Sequence, residues 1–475
     1  MDIRIGRLGG RTRRRAGLGA ACATVLLLLG GVACGDGGGE RDASPGREAA
    51  PTRVVVDTDL APDDLVALAF LLSSPDATVV AVTVSGTGEV RCPAGLDVVR
   101  GLLAATGHED VPTACGRSAP LAGDRTFPTG WRDAADDAWG LELPAPAPAP
   151  RAGSAERLLA ESLAPGDLTL LTLGPLTNVA AAFRSDPGLA DRVGSVVVMG
   201  GAVDVPGNVA GSGARAEWNM YIDPTAADEV LGSGAPVLMV GLDATRAARV
   251  TGDLVELMGA NAHTAAASLA RTLLVNDPGL SAGTAYLWDP TAAAIALDPG
   301  LAVTRSERIA VITGERPDAG ATVRRPGGHP VTLAVGVDVP AVEDRLVRTL
   351  DGVAPGAPLA APPAPVADIA IRRRGAVCTD DAPPTIPPGR VRITFASDAA
   401  GWSGVVVRLD GTLGMDAVLS WVERHPGETP VPGVGEAAFA GRGVTTFTDA
   451  VRGTALIVCA ADDGRVEVAG TLVVR

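Results

Sequence analysis

Apolar residues along this chain fall into two regimes. In the first, short aliphatic and β-branched runs alternate with longer apolar or amphipathic stretches. They read RVVV (53–56), LVALAFLL (65–72), TVVAVTVS (78–85), LDVVRGLLAATG (96–107), LTLLTLG (168–174), SVVVMGG (195–201) and APVLMVG (235–241). The short runs predict strands buried on both faces, and the longer stretches between them carry helical periodicity. Strand and helix in repetition predict an open, largely parallel sheet flanked by helices. After residue 366 the pattern shortens to alternating strands with turn-rich breaks: RVRITFAS (390–397), SGVVVRLD (403–410), GVTTFTDA (443–450), TALIVCAAD (454–462) and RVEVAGTLVVR (465–475). That predicts a small all-β sandwich, immunoglobulin-like or cupredoxin-like in outline. The Pro-Ala stretch APGAPLAAPPAPV (354–366) reads as the linker between them, giving an α/β domain over 53–353 and a β-sandwich domain over 367–475. A second Pro-Ala run, PAPAPAP (144–150), lies inside the first domain and reads as a stiff loop over the sheet edge.

The beginning of the chain belongs to neither regime. Residues 1–34 have an arginine-rich start, an apolar core too short to span a bilayer as a mature anchor, and small residues before Cys34, which together predict an export signal. The following residues, 35–52, have the composition of a flexible tether. Cys34 resembles a bacterial lipoprotein attachment site, implying a lipid anchor on the outer face of the cytoplasmic membrane. Plain secretion is the alternative, and the arginine-rich start leaves the twin-arginine route open. Cysteine usage agrees with export. Beyond Cys22 and Cys34, four cysteines divide evenly between the two domains, and we pair Cys92 with Cys115 and Cys378 with Cys459. A net charge of −15 argues against nucleic-acid binding.

Candidate chemistry concentrates in one loop. Asp57, Asp59, Asp63 and Asp64 crowd the segment DTDLAPDD between the first strand and the first helical run, and Asp289 stands far downstream in LWDP. Open α/β sheets bind ligands there, beyond the carboxyl ends of their strands. A helix N-terminus alone would account for Asp63 or Asp64 as caps. Packed carboxylates otherwise require either a hard cation or protonation, and we favour the cation. Oxygen-only ligands suit calcium. The four histidines, His108, His263, His329 and His425, lie outside these segments and show no metal-ligand spacing.

DTDLAPDD resembles the amino-terminal aspartate motif of the inosine-uridine-preferring nucleoside hydrolase family. Further similar segments follow in order: LTLLTLGPLTNVAAAF (168–183), VVVMGGAV (196–203), GNVAGSGARAEWNMYIDPTAADEVL (207–231), GLDAT (241–245) and LWDPTAAAIAL (287–297). The resemblance covers about residues 53–350. It implies hydrolysis of the N-glycosidic bond of a small-molecule ribonucleoside, with Ca2+ as cofactor, and admits a homo-oligomer. Carried over residue by residue, it implies that Asp59, Asp64, Asp289 and the main-chain carbonyl of Thr177 hold the metal. Asp59 would also take the proton of the attacking water. Asp63, Asn208, Glu217 and Asn219 would hold the ribose, with Asn208 and Glu217 toward its 5′ end. Loop side chains bonded to their own backbone are the plainer account of that polar trio.

Three departures from the family pattern bear on mechanism. Leu60 and Ala61 stand where Pro-Gly is usual, removing the residue that most easily adopts positive φ. Thr87 stands where Asn is frequent. Trp288 stands where many relatives carry a general-acid His, and it resembles the purine-preferring branch, in which an indole stacks on the base. Trp131 is a second stacking candidate and Trp139 a weaker one. These features predict a calcium-dependent, purine-leaning ribonucleoside hydrolase acting in external nucleoside salvage. The alternative is a non-catalytic, calcium-dependent nucleoside- or sugar-binding surface lipoprotein.

Overall fold

The structure, a computed structural model, describes residues 50–145, 153–277, 279–280, 284–399, 401–409, 434–440, 445–450, 453–461 and 465–475. The export signal, nearly all of the tether, Cys34, His425 and most of the PAPAPAP run lie outside the described residues. Among the described residues no helix is long and apolar enough to cross a membrane.

Nine strands form the main sheet: β1 (Thr52–Thr58), β2 (Ala77–Val84), β3 (Thr113–Cys115), β4 (Thr169–Thr172), β5 (Ser195–Met199), β6 (Val237–Val240), β7 (Ala302–Val311), β8 (Thr322–Arg324) and β9 (His329–Val337). Their spatial order is β3-β2-β1-β4-β5-β6-β9-β7-β8. Neighbours from β3 through β9 pair in parallel, and β7 and β8 complete one edge in antiparallel pairing. Alternate residues of the parallel strands face opposite cores. Val54, Val56, Val82, Val84, Leu171 and Val197 join one cluster, while Val55, Ala81, Leu170, Val196 and Val198 join the other. Two buried faces explain why these strands read as continuous apolar runs.

Sequence order reverses at β1: the chain moves outward to β2 and β3, then returns across β1 to β4. Such a switch point leaves a crevice at the carboxyl ends of the two strands, because their connections leave on opposite faces. The aspartate loop leaves β1 and the GPLTN turn leaves β4, so both open into that crevice. The helix Pro62–Ser73 that follows β1 is buried from Asp64 to Leu72. It packs between the helices Ala265–Asn276, Trp288–Leu297 and Val339–Asp351. A helix enclosed on all sides carries apolar residues around its whole circumference, hence the unbroken LVALAFLL.

The carboxyl-terminal strands form the expected sandwich. One sheet contains β10 (Ala367–Arg374), β11 (Val377–Thr379), β13 (Gly389–Ser397) and β16 (Thr445–Ala450). The other contains β12 (Thr385–Ile386), β14 (Trp402–Leu409), β15 (Val434–Ala440), β17 (Gly453–Ala461) and β18 (Val466–Val474). Ile369, Ile371, Ile393, Phe395, Trp402, Ile457 and Leu472 fill the space between them. Arg373 is nearly buried there, 3.6 Å above the Trp402 ring and paired with Glu467 at 3.0 Å, so its charge is balanced. The Pro-Ala linker is bonded to the α/β domain: Ala360 exchanges two hydrogen bonds with Asn261, and Arg348 donates to the carbonyl of Ala357. Arg390 of the sandwich pairs with Glu256 of the α/β domain at 2.6 Å.

Both disulfides form as paired from sequence, Cys92 with Cys115 and Cys378 with Cys459. The second closes a sequence separation of 81 residues within the sandwich. Replacing Cys378 and Cys459 by serine is expected to destabilise the sandwich by about 3–5 kcal/mol through restored chain entropy, measurable as a lower denaturant midpoint.

Candidate active site

The crevice at the switch point holds a cavity of about 480 Å³, large enough for a nucleoside-sized molecule. Its floor is acidic. Asp59, Asp63, Asp64, Glu89 and Asp289 all line it. Carboxylate oxygens of Asp63, Asp64 and Asp289 lie within 4.8 Å of one another. Each has a structural reason to be there. The buried helix Pro62–Ser73 begins at the loop and fixes Asp63 and Asp64 in its first turn, while Asp289 occupies the first turn of Trp288–Leu297, which packs against it.

The loop is held from within. Asp64 accepts a hydrogen bond from the hydroxyl of Thr58 through Oδ1, which also takes the Asp59 N–H at 3.1 Å. Its other oxygen, and Oδ1 of Asp289, are buried and without a hydrogen-bond partner. Two orphaned carboxylate oxygens in a cluster of acids fit a bound hard cation, which would satisfy both. Without one, burial and mutual repulsion hold Asp59, Asp289 and Glu89 well above the usual carboxylate range, and push Asp63 up to about 7. Asp57, behind the cavity, is also raised to about 7 by burial, against the lowering effect of bonds from Thr83 at 2.6 Å and Asn178 at 2.8 Å.

The remaining sequence-derived residues divide between the cavity and its supports. Asn208, Glu217 and Asn219 line the cavity. Glu217 accepts backbone N–H groups of Gly201, Asn219 and Met220 at 2.9–3.2 Å, and Asn219 donates to the carbonyl of Leu173 at 2.7 Å. Asn208 takes the Trp218 N–H at 3.1 Å. Backbone bonding and cavity position thus coexist in this trio, the former orienting the side chains. The Thr177 side chain is not among the lining groups. It sits 3.1 Å from the Thr87 hydroxyl and donates to Asp223 at 2.9 Å, and Thr87 is likewise buried in this hydroxyl chain rather than facing the cavity.

The upper wall is aromatic. Trp131, Trp139 and Trp288 line it as the sequence suggested, joined by Phe127, Trp218 and Tyr286. Tyr286 and Trp288 stack at 5.3 Å between ring centroids with a 13° interplanar angle. Trp131 is 43% exposed and packs on Trp218 at 5.4 Å, so it caps the cavity mouth. Trp139 instead reaches down, donating its indole N–H to the Leu60 carbonyl at 2.9 Å. Leu60 is fully buried at φ 61°, and Trp139 itself has φ 56°. The positive φ of the aspartate loop thus falls on Leu60, a residue for which it costs about 1–2 kcal/mol, a strain held by the surrounding packing.

Sequence reasoning missed Glu89, Asp277, Trp218 and Tyr286, all on the cavity wall. Glu89 could have been found as the only acid in the loop after the second strand, TVSGTGEV. Gly88 beside it is required: a Cβ there would lie 2.1 Å from the Asp59 Cβ. Trp218 lies between Glu217 and Asn219, and Tyr286 two residues before Trp288, but neither has a signal of its own. Among the described residues no histidine lines the cavity. His263 pairs with Asp351 at 2.7 Å and His329 with Asp228 at 3.1 Å, both outside it.

Comparison with known proteins shows what the α/β domain is similar to. The family model described as inosine-uridine preferring nucleoside hydrolase matches residues 54–344. The chain is 32% identical over 312 residues to a pyrimidine-specific ribonucleoside hydrolase RihA of Shewanella sp. (strain ANA-3), covering 62% of this chain and 95% of that one. Among solved structures, a plant nucleoside hydrolase, PpNRh1, matches at 31% identity with a TM-score of 0.55, covering 63% of this chain and 99% of its own. A purine-preferring ribonucleoside hydrolase from Gardnerella vaginalis matches at 29% identity with a TM-score of 0.57, covering 64% and 99%.

Asp57 and Asp63 bind protons more tightly folded than unfolded, so their contribution to stability falls as pH rises from about 4 to about 7 in the metal-free chain. A bound cation favours their ionised neighbours and opposes that loss. The rise in melting temperature on adding calcium is therefore expected to be larger at pH 7.5 than at pH 5, as scanning calorimetry with calcium and with chelator would measure.

Proposed function

This chain belongs to the inosine-uridine preferring nucleoside hydrolase family and hydrolyses N-glycosidic bonds of nucleosides; from that premise we propose that it is calcium-dependent and prefers purine ribonucleosides. The observation that carries the preference is the stacked Tyr286–Trp288 pair, which sets a large aromatic face immediately before Asp289 and beside the acid cluster.

Asp59, Asp64 and Asp289, with the Thr177 carbonyl, are the proposed metal-holding groups. Bound calcium supplies a positive charge that orients the ribose diol and makes water more acidic. Asp59, in the same cavity, takes the proton from the attacking water. Asp63 accepts a ribose hydroxyl. Asn208 and Glu217 accept toward the 5′ end and Asn219 completes the ribose contacts. Glu217 keeps acceptor capacity for this, since a carboxylate offers about four lone-pair sites and three backbone N–H groups occupy part of them. Negative charge on this floor stabilises the oxocarbenium-like ribosyl cation.

Departure of the base needs a different device, because no described histidine is at hand. The Trp288 face, with Trp131 above, holds a purine ring and favours its protonated form through the indole π system. The two disulfides support an oxidising location, and we place the mature chain outside the cytoplasmic membrane, lipid-anchored through Cys34, in salvage of external nucleosides. The names of the relatives divide between pyrimidine-specific and purine-preferring, so base preference in this chain rests on its own aromatic wall.

Asp59→Asn is expected to lower kcat at least a hundredfold while leaving the circular dichroism spectrum unchanged; full turnover would remove Asp59 as the base. Ribose release from inosine, adenosine, guanosine, uridine and cytidine, with calcium or with chelator, tests the whole reading. Calcium-dependent release fastest with purines is the expected result. Trp288→Ala should reduce kcat/KM for purines about tenfold or more and for pyrimidines less, and an equal loss on every base would refute stacking by Trp288.

A further inference from the structure

Glu89 is a buried carboxylate that the mechanism above leaves unused. It is 8% exposed, lines the cavity, and its Oε2 has no hydrogen-bond partner. Its backbone is fixed, since the Glu89 N–H donates to Asp59 Oδ2 at 3.2 Å and Gly88 is pressed against Asp59. An acid held in place with an unmet oxygen beside a ligand cavity is costly to the fold unless a ligand completes it. Glu89 feels the charges of Asp63, Asp64 and Asp277, all of which line the same cavity. It shares this cavity with the acidic floor and with Asp277, Tyr286 and Trp288. Ribose hydroxyls already have acceptors in Asp63, Asn208, Glu217 and Asn219. The Tyr286–Trp288 stack can hold a ring by its face, and of the two acids in the cavity outside the proposed sugar and metal groups Asp277 already accepts the Gly279 N–H at 2.6 Å, whereas Glu89 Oε2 has no partner.

We infer that Glu89 reads the nucleobase, its carboxylate accepting a hydrogen bond from an N–H donor on the base edge, an exocyclic amine or a ring imide. This inference rests on the nucleoside hydrolase reading and narrows its substrate class to bases carrying such a donor. A site built to bond a donor rejects the analogue that lacks it, because the buried acceptor is then left unpaired.

The test compares the full chain with Glu89→Gln and Glu89→Ala on adenosine, guanosine and purine riboside, the last having no N–H on its base. In Glu89→Ala the preference for adenosine or guanosine over purine riboside is expected to fall about tenfold, chiefly through KM. Glu89→Gln should lose less, because its amide oxygen still accepts. An equal factor lost on all three substrates would overturn the inference, making Glu89 a support for Asp59. Insensitivity of a 2′-, 3′- or 5′-deoxyadenosine to the substitution would also overturn it, by assigning Glu89 to a ribose hydroxyl. So would a loss of calcium affinity in Glu89→Gln as large as that in Asp289→Asn in calorimetric titration, by making Glu89 part of the cation's shell, since a nearby carboxylate that is no ligand costs less when neutralised. If the unaltered chain hydrolyses none of these nucleosides, the parent reading fails separately, and calorimetric affinities for the same three compounds supply the ratio that decides the role of Glu89.

Discussion

Repulsion among buried carboxylates governs this molecule. Asp57, Asp59, Asp63, Asp64, Glu89 and Asp289 crowd the carboxyl end of β1, all but one of them nearly inaccessible to water. Nothing in an apolar interior pays for that arrangement except hydrogen bonds, protons or a cation. The surrounding fold supplies the bonds it can: Thr58 and the Asp59 N–H to Asp64, Thr83 and Asn178 to Asp57, the Glu89 N–H to Asp59. One oxygen each of Asp57, Asp64, Glu89 and Asp289 is left unmet, and those of Asp64 and Asp289 fit a bound cation.

The scaffold is correspondingly rigid where it meets this cluster. The helix that begins at the aspartates is buried on all sides, and the chain direction reverses between β1 and β4, so two strand ends converge on one crevice. Opposite the acids, aromatic rings supply a face for a flat, apolar group. Trp139 belongs to both halves, since its ring lines the cavity while its N–H fixes the strained carbonyl of Leu60. Acidic floor and aromatic wall are thereby mechanically linked.

The β sandwich stands apart from this chemistry. Its core, its disulfide and the stacked Arg373–Trp402 pair are its own, and its contact with the α/β domain includes the bonded linker, the Arg390–Glu256 pair and the approach of β16 to the helix Gly252–Ala260. Among the described residues it contributes no group to the cavity wall.

Much of this was written in the chain locally. Unbroken apolar runs specified buried parallel strands, alternation specified the sandwich, and the order of six motif segments specified the family and singled out Asp59, Asp63, Asp64, Asn208, Glu217, Asn219, Trp288 and Asp289, all of which line the cavity. Such features depend on near neighbours in sequence, where periodicity and motif spacing carry the information. The sequence left open which lone residues share a wall. Glu89, Asp277, Trp218 and Tyr286 enter the cavity because segments more than a hundred residues apart meet at the switch point. The location of positive φ on Leu60 was equally a tertiary matter, since only the packing of Trp139 and the buried helix around that loop can hold a leucine there.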